Sequence, residues 1–84
     1  MKSRYLDAVL AANAEGRTVA LATDLKTGAQ LYLDGETSEG NLELDEMSLG
    51  AVREALRADR NISLDTAQGR VFVQVFSQIG RAHV

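Results

Sequence analysis

The stretch Thr18-Val19-Ala20-Leu21-Ala22-Thr23-Asp24 decides how this chain is read. Its two faces, Val19, Leu21 and Thr23 on one side and Ala20 and Ala22 on the other, are both mostly apolar. A strand that presents no polar face belongs at the centre of a sheet. The segment before it, Ser3 to Glu15, reads as a helix, with Leu6, Val9, Leu10, Ala12 and Ala14 at three- and four-residue spacing, Ser3 as N-cap and Gly16 just past the end. After Asp24 comes a turn at Lys26-Thr27-Gly28, then an alternating strand over Ala29 to Leu33. Asp34-Gly35 is a hairpin signal of type I′, leading to a short third strand within Thr37 to Leu44 that Gly40 weakens.

The second half uses the same grammar. Asp45 is placed to cap a helix, with Leu44 before it and Leu49 after it able to staple across the cap. Leu49, Val52 and Leu56, padded by Ala51 and Ala55, form its apolar stripe, and Asn61 is the expected stop. Ile62 to Asp65, the turn Thr66-Ala67-Gln68-Gly69 and Arg70 to Phe76 read as a hairpin. Its second strand sets Val71, Val73 and Val75 against Phe72, Gln74 and Phe76, the strongest β pattern in the chain. The expected fold is α+β in the order α-β-β-β-α-β-β: two helices packed on one face of a small, mostly antiparallel sheet of about five strands.

Composition bounds the chemistry. The 84 residues carry 9 Lys+Arg against 12 Asp+Glu, a net charge of −3, which argues against the basic footprint of nucleic-acid binding. With no Cys there is no disulfide framework, thiolate nucleophile or Cys-based metal site. The longest apolar runs, Ala8 to Ala12 and Val19 to Ala22, fall well below the ~18 residues of a membrane span, so a cytoplasmic chain without membrane contact is expected. The acids Glu36, Glu39, Glu43, Asp45 and Glu46 lack the ligand spacing of a calcium loop and read as a solvated face. Phe72 and Phe76 have no interleaved basic residues and read as core. One place, Ser38-Glu39-Gly40-Asn41 ahead of the second helix, could turn main-chain N–H groups toward an anion. No catalytic constellation is visible, and the residues by themselves read as a soluble α+β domain.

The last six residues, Ile79-Gly80-Arg81-Ala82-His83-Val84, resemble the translation of a common sequencing-adapter stretch, ATC GGA AGA GCA CAC GTC, which runs there into the stop TGA. The two adapter bases before it would complete a CAG codon, and Gln78 stands at that position. Residues 1–78 are therefore taken as the natural domain and 79–84 as an artefactual tail, which removes His83, the single histidine, from the catalytic inventory.

A family resemblance runs through most of the natural part. Ala14-Glu15-Gly16-Arg17-Thr18-Val19-Ala20-Leu21-Ala22-Thr23 resembles the start of the xanthine dehydrogenase accessory protein family, XdhC/CoxI, where a helix ends in a Glu-Gly-Arg/Lys turn and enters a Val-Ala-Leu-Ala-Thr strand. Thr27-Gly28-Ala29-Gln30-Leu31-Tyr32-Leu33 is similar to its Pro-Gly-Ala-Lys-Met-Leu-Val strand, and Ser38-Glu39-Gly40-Asn41-Leu42-Glu43 falls where the family carries Ser-Gly-Gly-Cys-Val-Glu. Val52 to Leu56 continues as the family's helix does, and Phe72 to Phe76 resembles the strand leading into its second domain. The resemblance implies the N-terminal domain of a factor that binds the molybdenum cofactor (molybdopterin) and passes it to a molybdenum hydroxylase apo-enzyme. A Rossmann-like C-terminal domain would come next in the intact protein. Carried over by position, the implied cofactor-binding residues are Ser38, Gly40 and Glu43, with Asn41 as a polar substitute for the family's Cys. That substitution withdraws any thiolate contact to molybdenum. The family's Gly-Ser-x-Pro-Arg loop between the first two strands is missing, and Asp24 to Ala29 is correspondingly short.

Two other readings compete with this one. The first is a small interaction module that pairs through a sheet edge, as a homodimer or with another protein. The second is an enzyme half-domain with carboxylate chemistry, which requires Glu39 or Glu43 in a cleft.

Overall fold

The computed structural model describes residues 4–77 apart from Glu36 and Gln68, with the main chain only at Arg4 and Leu6. Ser3 as a cap, the Leu6 side chain, Glu36, Gln78 and the 79–84 tail with His83 thus lie outside the described residues. The elements are α1 (Arg4–Ala14), β1 (Val19–Asp24), β2 (Gln30–Asp34), β3 (Thr37–Gly40), α2 (Glu46–Ala58), β4 (Ile62–Thr66) and β5 (Gly69–Phe76). This is the expected α+β order. The five strands form one sheet in the order β3-β2-β1-β5-β4, with every neighbouring pair antiparallel. β1 lies in the middle, as its two apolar faces require.

The placement of the helices differs from expectation. Ala20, Ala22, Leu31, Leu33, Val71 and Val73 pack with Leu42 and with Val52 and Ala55 of α2. Val19, Leu21 and Tyr32, which point the other way, pack with Tyr5, Val9 and Ala12 of α1. One helix therefore covers each face, making three layers where two were expected. The cause lies in β1 itself: Ala20 and Ala22 are fully buried on one side, as is Val19 on the other, and a single helix layer would leave one of those sides in water. Complete burial of Leu33, Val19, Val52, Val71 and Val73 stabilises the fold by about 1.5–3 kcal/mol each.

On α1 the buried face is Tyr5, Val9 and Ala12, while Leu10 and Ala14 of the expected stripe are exposed. Tyr5 sets this rotation by stacking on Tyr32, with ring centroids 5.9 Å apart. Both helices end in the same way. Arg17 N donates to Ala12 O and Gly16 N to Asn13 O, with Gly16 at φ 80°. Arg60 N donates to Ala55 O and Asp59 N to Leu56 O, with Asp59 at φ 58°. These are paired Schellman bonds around a left-handed residue. Asp59, not Asn61, therefore stops α2. Asp34, the first residue of the signalled hairpin turn, is itself still paired in the sheet, opposite Thr37.

Candidate functional site

Both loops singled out by the resemblance meet at one end of the sheet. Between β1 and β2 the chain turns on Asp24, a nearly buried carboxylate whose Oδ1 accepts from Lys26 N at 2.8 Å and Thr27 N at 3.2 Å. Ala29 N donates to Thr27 Oγ1, and Gly28 N to the Asp24 carbonyl, with Gly28 at φ 83°. Such self-bonded Asx geometry explains how so short a connection holds its shape. It leaves the Lys26 and Thr27 side chains exposed.

The opposing loop descends from β3. Gly40 has φ 147°, and a Cβ placed there would collide with the Gln30 carbonyl oxygen and come within 2.9 Å of Leu31 Cα. Only glycine fits this crossing of β3 over β2. Asn41 then finishes the ladder: its N–H donates to Gln30 O at 3.0 Å, while Gln30 N donates to its side-chain Oδ1, also at 3.0 Å. The amide side chain stands where a main-chain carbonyl would otherwise be. Leu42 N donates to the same Gln30 oxygen, and the Leu42 side chain enters the α2-side core. Glu43 is exposed, and Asp45 caps α2 by accepting from Ser48 N at 2.8 Å. That hydrogen bond holds the Asp45 carboxyl below the ordinary carboxylate range.

An open groove of about 640 Å³ lies between these loops, lined by Asp24, Lys26, Thr27, Asn41, Leu42 and Glu43 together with Ala29 and Ala67. A smaller recess of about 80 Å³ adjoins it, bounded by Glu43, Leu44, Asp45, Ser48, Thr66 and Ala67. Of the four carried-over residues, Asn41 and Glu43 reach the groove, while Ser38 and Gly40 line neither recess. Ser38 lies within β3, opposite Leu33. In the stretch expected to form an amide cradle, Asn41 N and the adjoining Leu42 N already donate to Gln30 O, so neither is open to an anion. At the helix start, Ser48 N is likewise taken by Asp45. Ser38, Gly40, Asn41 and Glu43 are thus not gathered into one recess. What the groove offers is one basic residue, Lys26, and the carboxylates Asp24 and Glu43 in its lining, with Thr27 and Asn41 as further polar residues. That set suits reversible binding of a polar, zwitterionic surface.

In the sequence Asp24, Lys26 and Thr27 read only as a turn. Nothing in their spacing reveals that they share a groove with Glu43, although Asp24 with Thr27-Gly28 after it marks a rigid Asx turn. Glu39, the other carboxylate considered for chemistry, sits exposed on β3 opposite Tyr32, outside both recesses. Glu43, Asp45 and Glu46 are also exposed, so the described acids form the solvated face anticipated for them. Among the described residues no group of three His, Asp or Glu side chains is gathered closely enough to hold a metal ion, and no helix is long and apolar enough to cross a membrane. Compared with known proteins, the chain matches no family model, no curated protein and no solved structure.

Proposed function

We propose that this chain is the N-terminal domain of a maturation factor of XdhC/CoxI type, a non-catalytic domain that docks on a molybdenum hydroxylase apo-enzyme during cofactor insertion. One observation carries the reading. The two loops at which the family's distinguishing motifs fall, between β1 and β2 and between β3 and α2, are separated in sequence yet line a single groove. The resembling runs also fall at the α1–β1 connection with β1, at β2, at the β3–α2 connection, in α2 and in β5, in the order in which the resemblance places them. In this reading Lys26 and Glu43 recognise the client, and molybdopterin is held mainly by the domain that comes after β5 in the intact factor. The short β1–β2 turn and Asn41 then mark a variant whose N-terminal half contributes contact in place of sulfur chemistry.

Binding of the purified chain to the apo form of a molybdenum hydroxylase, monitored by biolayer interferometry, tests the proposal. The double charge reversal Lys26→Glu with Glu43→Lys inverts the charge at both positions and keeps their sum. It is expected to weaken binding at least about tenfold, the effect of losing ~1.4 kcal/mol of contact. Absence of binding to the apo-enzyme, together with a downstream gene sequence that encodes no dinucleotide-type domain, would sink the assignment.

A further inference from the structure

Among the described residues no further strand pairs with either edge of the sheet, and the two edges differ chemically in a way that selects one of them for self-association. Ladder alternation gives the direction of each main-chain group. On β5, Arg70 O accepts from Leu25 N on the β1 side, whereas Val75 N donates to Asn61 Oδ1 on the β4 side. Val71 and Val73 therefore exchange bonds with their partners Leu64 and Ile62. Ser63 and Asp65 turn their N–H and C=O groups outward. On β3 the Gln30–Asn41 exchange leaves Ser38 and Gly40 as the outward residues.

A two-fold axis between antiparallel copies of each edge gives unequal results. Pairing β3 with β3 sets Ser38 against Gly40 of the second copy and brings Glu39 directly opposite Glu39, a like-charge pair at the axis. Pairing β4 with β4 sets Ser63 against Asp65 and brings Leu64 opposite Leu64. Ile62 and Leu64 are half-exposed apolar side chains bordering the α2-side core, so this pairing also covers them. The one charge on β4, Asp65, is ion-paired with Arg70 of the same hairpin at 3.1 Å and meets a serine across the axis. Crossing β3 with β4 would oppose Glu39 to Leu64 and leave free edges at both ends, an open assembly.

We propose that two copies of this chain associate through β4 in antiparallel register about Leu64, joining their sheets into one of ten strands with α2 of each copy on the same face. The geometry predicts four new main-chain hydrogen bonds, between Ser63 and Asp65 of opposite copies. Ser63, Leu64 and Asp65 line neither the groove nor its adjoining recess, so client docking and self-association stand or fall separately.

Because the chain contains no Cys, single-cysteine variants of the full 84-residue protein report the register directly. A non-hydrogen-bonded antiparallel pair holds its Cα atoms about 4.5 Å apart, within disulfide reach. Leu64→Cys is expected to cross-link into a covalent dimer under mild oxidation, while Glu39→Cys stays monomeric. Ser63→Pro removes an outward N–H and no β4–β5 bond, and should weaken the dimer by about tenfold or more in sedimentation equilibrium. If Ser63→Pro fails to fold, the cross-linking pattern decides alone. A monomeric parent chain at about 1 mM, or cross-linking through Glu39→Cys but not Leu64→Cys, overturns the proposal.

Discussion

Replacing Gly40 by alanine adds one methyl group at an exposed position, yet it should be among the most damaging small changes in this domain. Two costs combine. At φ 147° the backbone occupies a region that side-chain-bearing residues rarely adopt, a strain of about 1–3 kcal/mol. The new Cβ also runs into the Gln30 carbonyl and lies 2.9 Å from Leu31 Cα and 3.0 Å from Gln30 C, all main-chain atoms that cannot rotate away. Forcing β3 off β2 adds about 1–3 kcal/mol, as overpacking does elsewhere. The sum, about 2–6 kcal/mol, compares with about 4–12 kcal/mol of total stability for a domain of this length.

Two control glycines separate the terms. Gly28 has φ 83° with nothing within 4 Å of an added Cβ, so Gly28→Ala carries the strain without the collision and should cost about 1–2 kcal/mol. Gly50 lies within α2 in open space, so Gly50→Ala should stabilise by about 1 kcal/mol. Urea unfolding monitored by far-ultraviolet circular dichroism measures all three. With a slope near 1 kcal/mol per molar urea, the midpoint of Gly40→Ala falls by about 2 M or more. If Gly40→Ala is no worse than Gly28→Ala, the reasoning fails. The glycine would then serve something other than the β2–β3 crossing.

Three further outcomes rest on single named residues. Asn41→Cys removes the acceptor for Gln30 N and should cost about 1 kcal/mol, with faster amide exchange at Gln30 as the specific readout. Asp59→Gly relieves the left-handed residue ending α2 and should raise the urea midpoint by about 0.5–1 M; an unchanged or lower midpoint refutes that account. Burial raises the Tyr32 phenol above its ordinary value of 10.0. The folded state thus holds this proton more tightly than the unfolded one. Its contribution is complete below about pH 10 and is lost as pH rises through the higher folded value, so Tyr32→Phe should flatten the alkaline fall in stability. An unaltered alkaline limb in that variant would show that Tyr32 does not carry the effect.

Local signals make most elements legible. The Gly16 stop of α1 and the Asp45 cap of α2 are written in residues that act within one turn of themselves, so they can be read without tertiary knowledge. Sequence and structure part where a local choice is nearly balanced. Asn61 and Asp59 are both capable of a left-handed stop, and Asp59 takes it while the Asn61 side chain instead accepts from Val75 N in the sheet. Asn41 is legible as a polar residue in a loop, but its work as a stand-in carbonyl depends on Gln30, eleven positions away. The groove is half legible: Asn41 and Glu43 stand out by motif position, whereas Asp24, Lys26 and Thr27 join them only through pairing of β1, β2 and β3.

By itself the sequence determined the number, kind and order of the elements, and through Val19 to Asp24 it marked which strand must be central. Apolar period and capping chemistry act over three to seven residues and survive without a partner. Tertiary structure alone decided that α1 and α2 lie on opposite faces, that the two motif loops close on one groove, and that Ser63 and Asp65 look outward from an open edge. Each of these depends on which strand neighbours which. That choice is made by summed burial across the whole sheet, to which no short segment holds the answer.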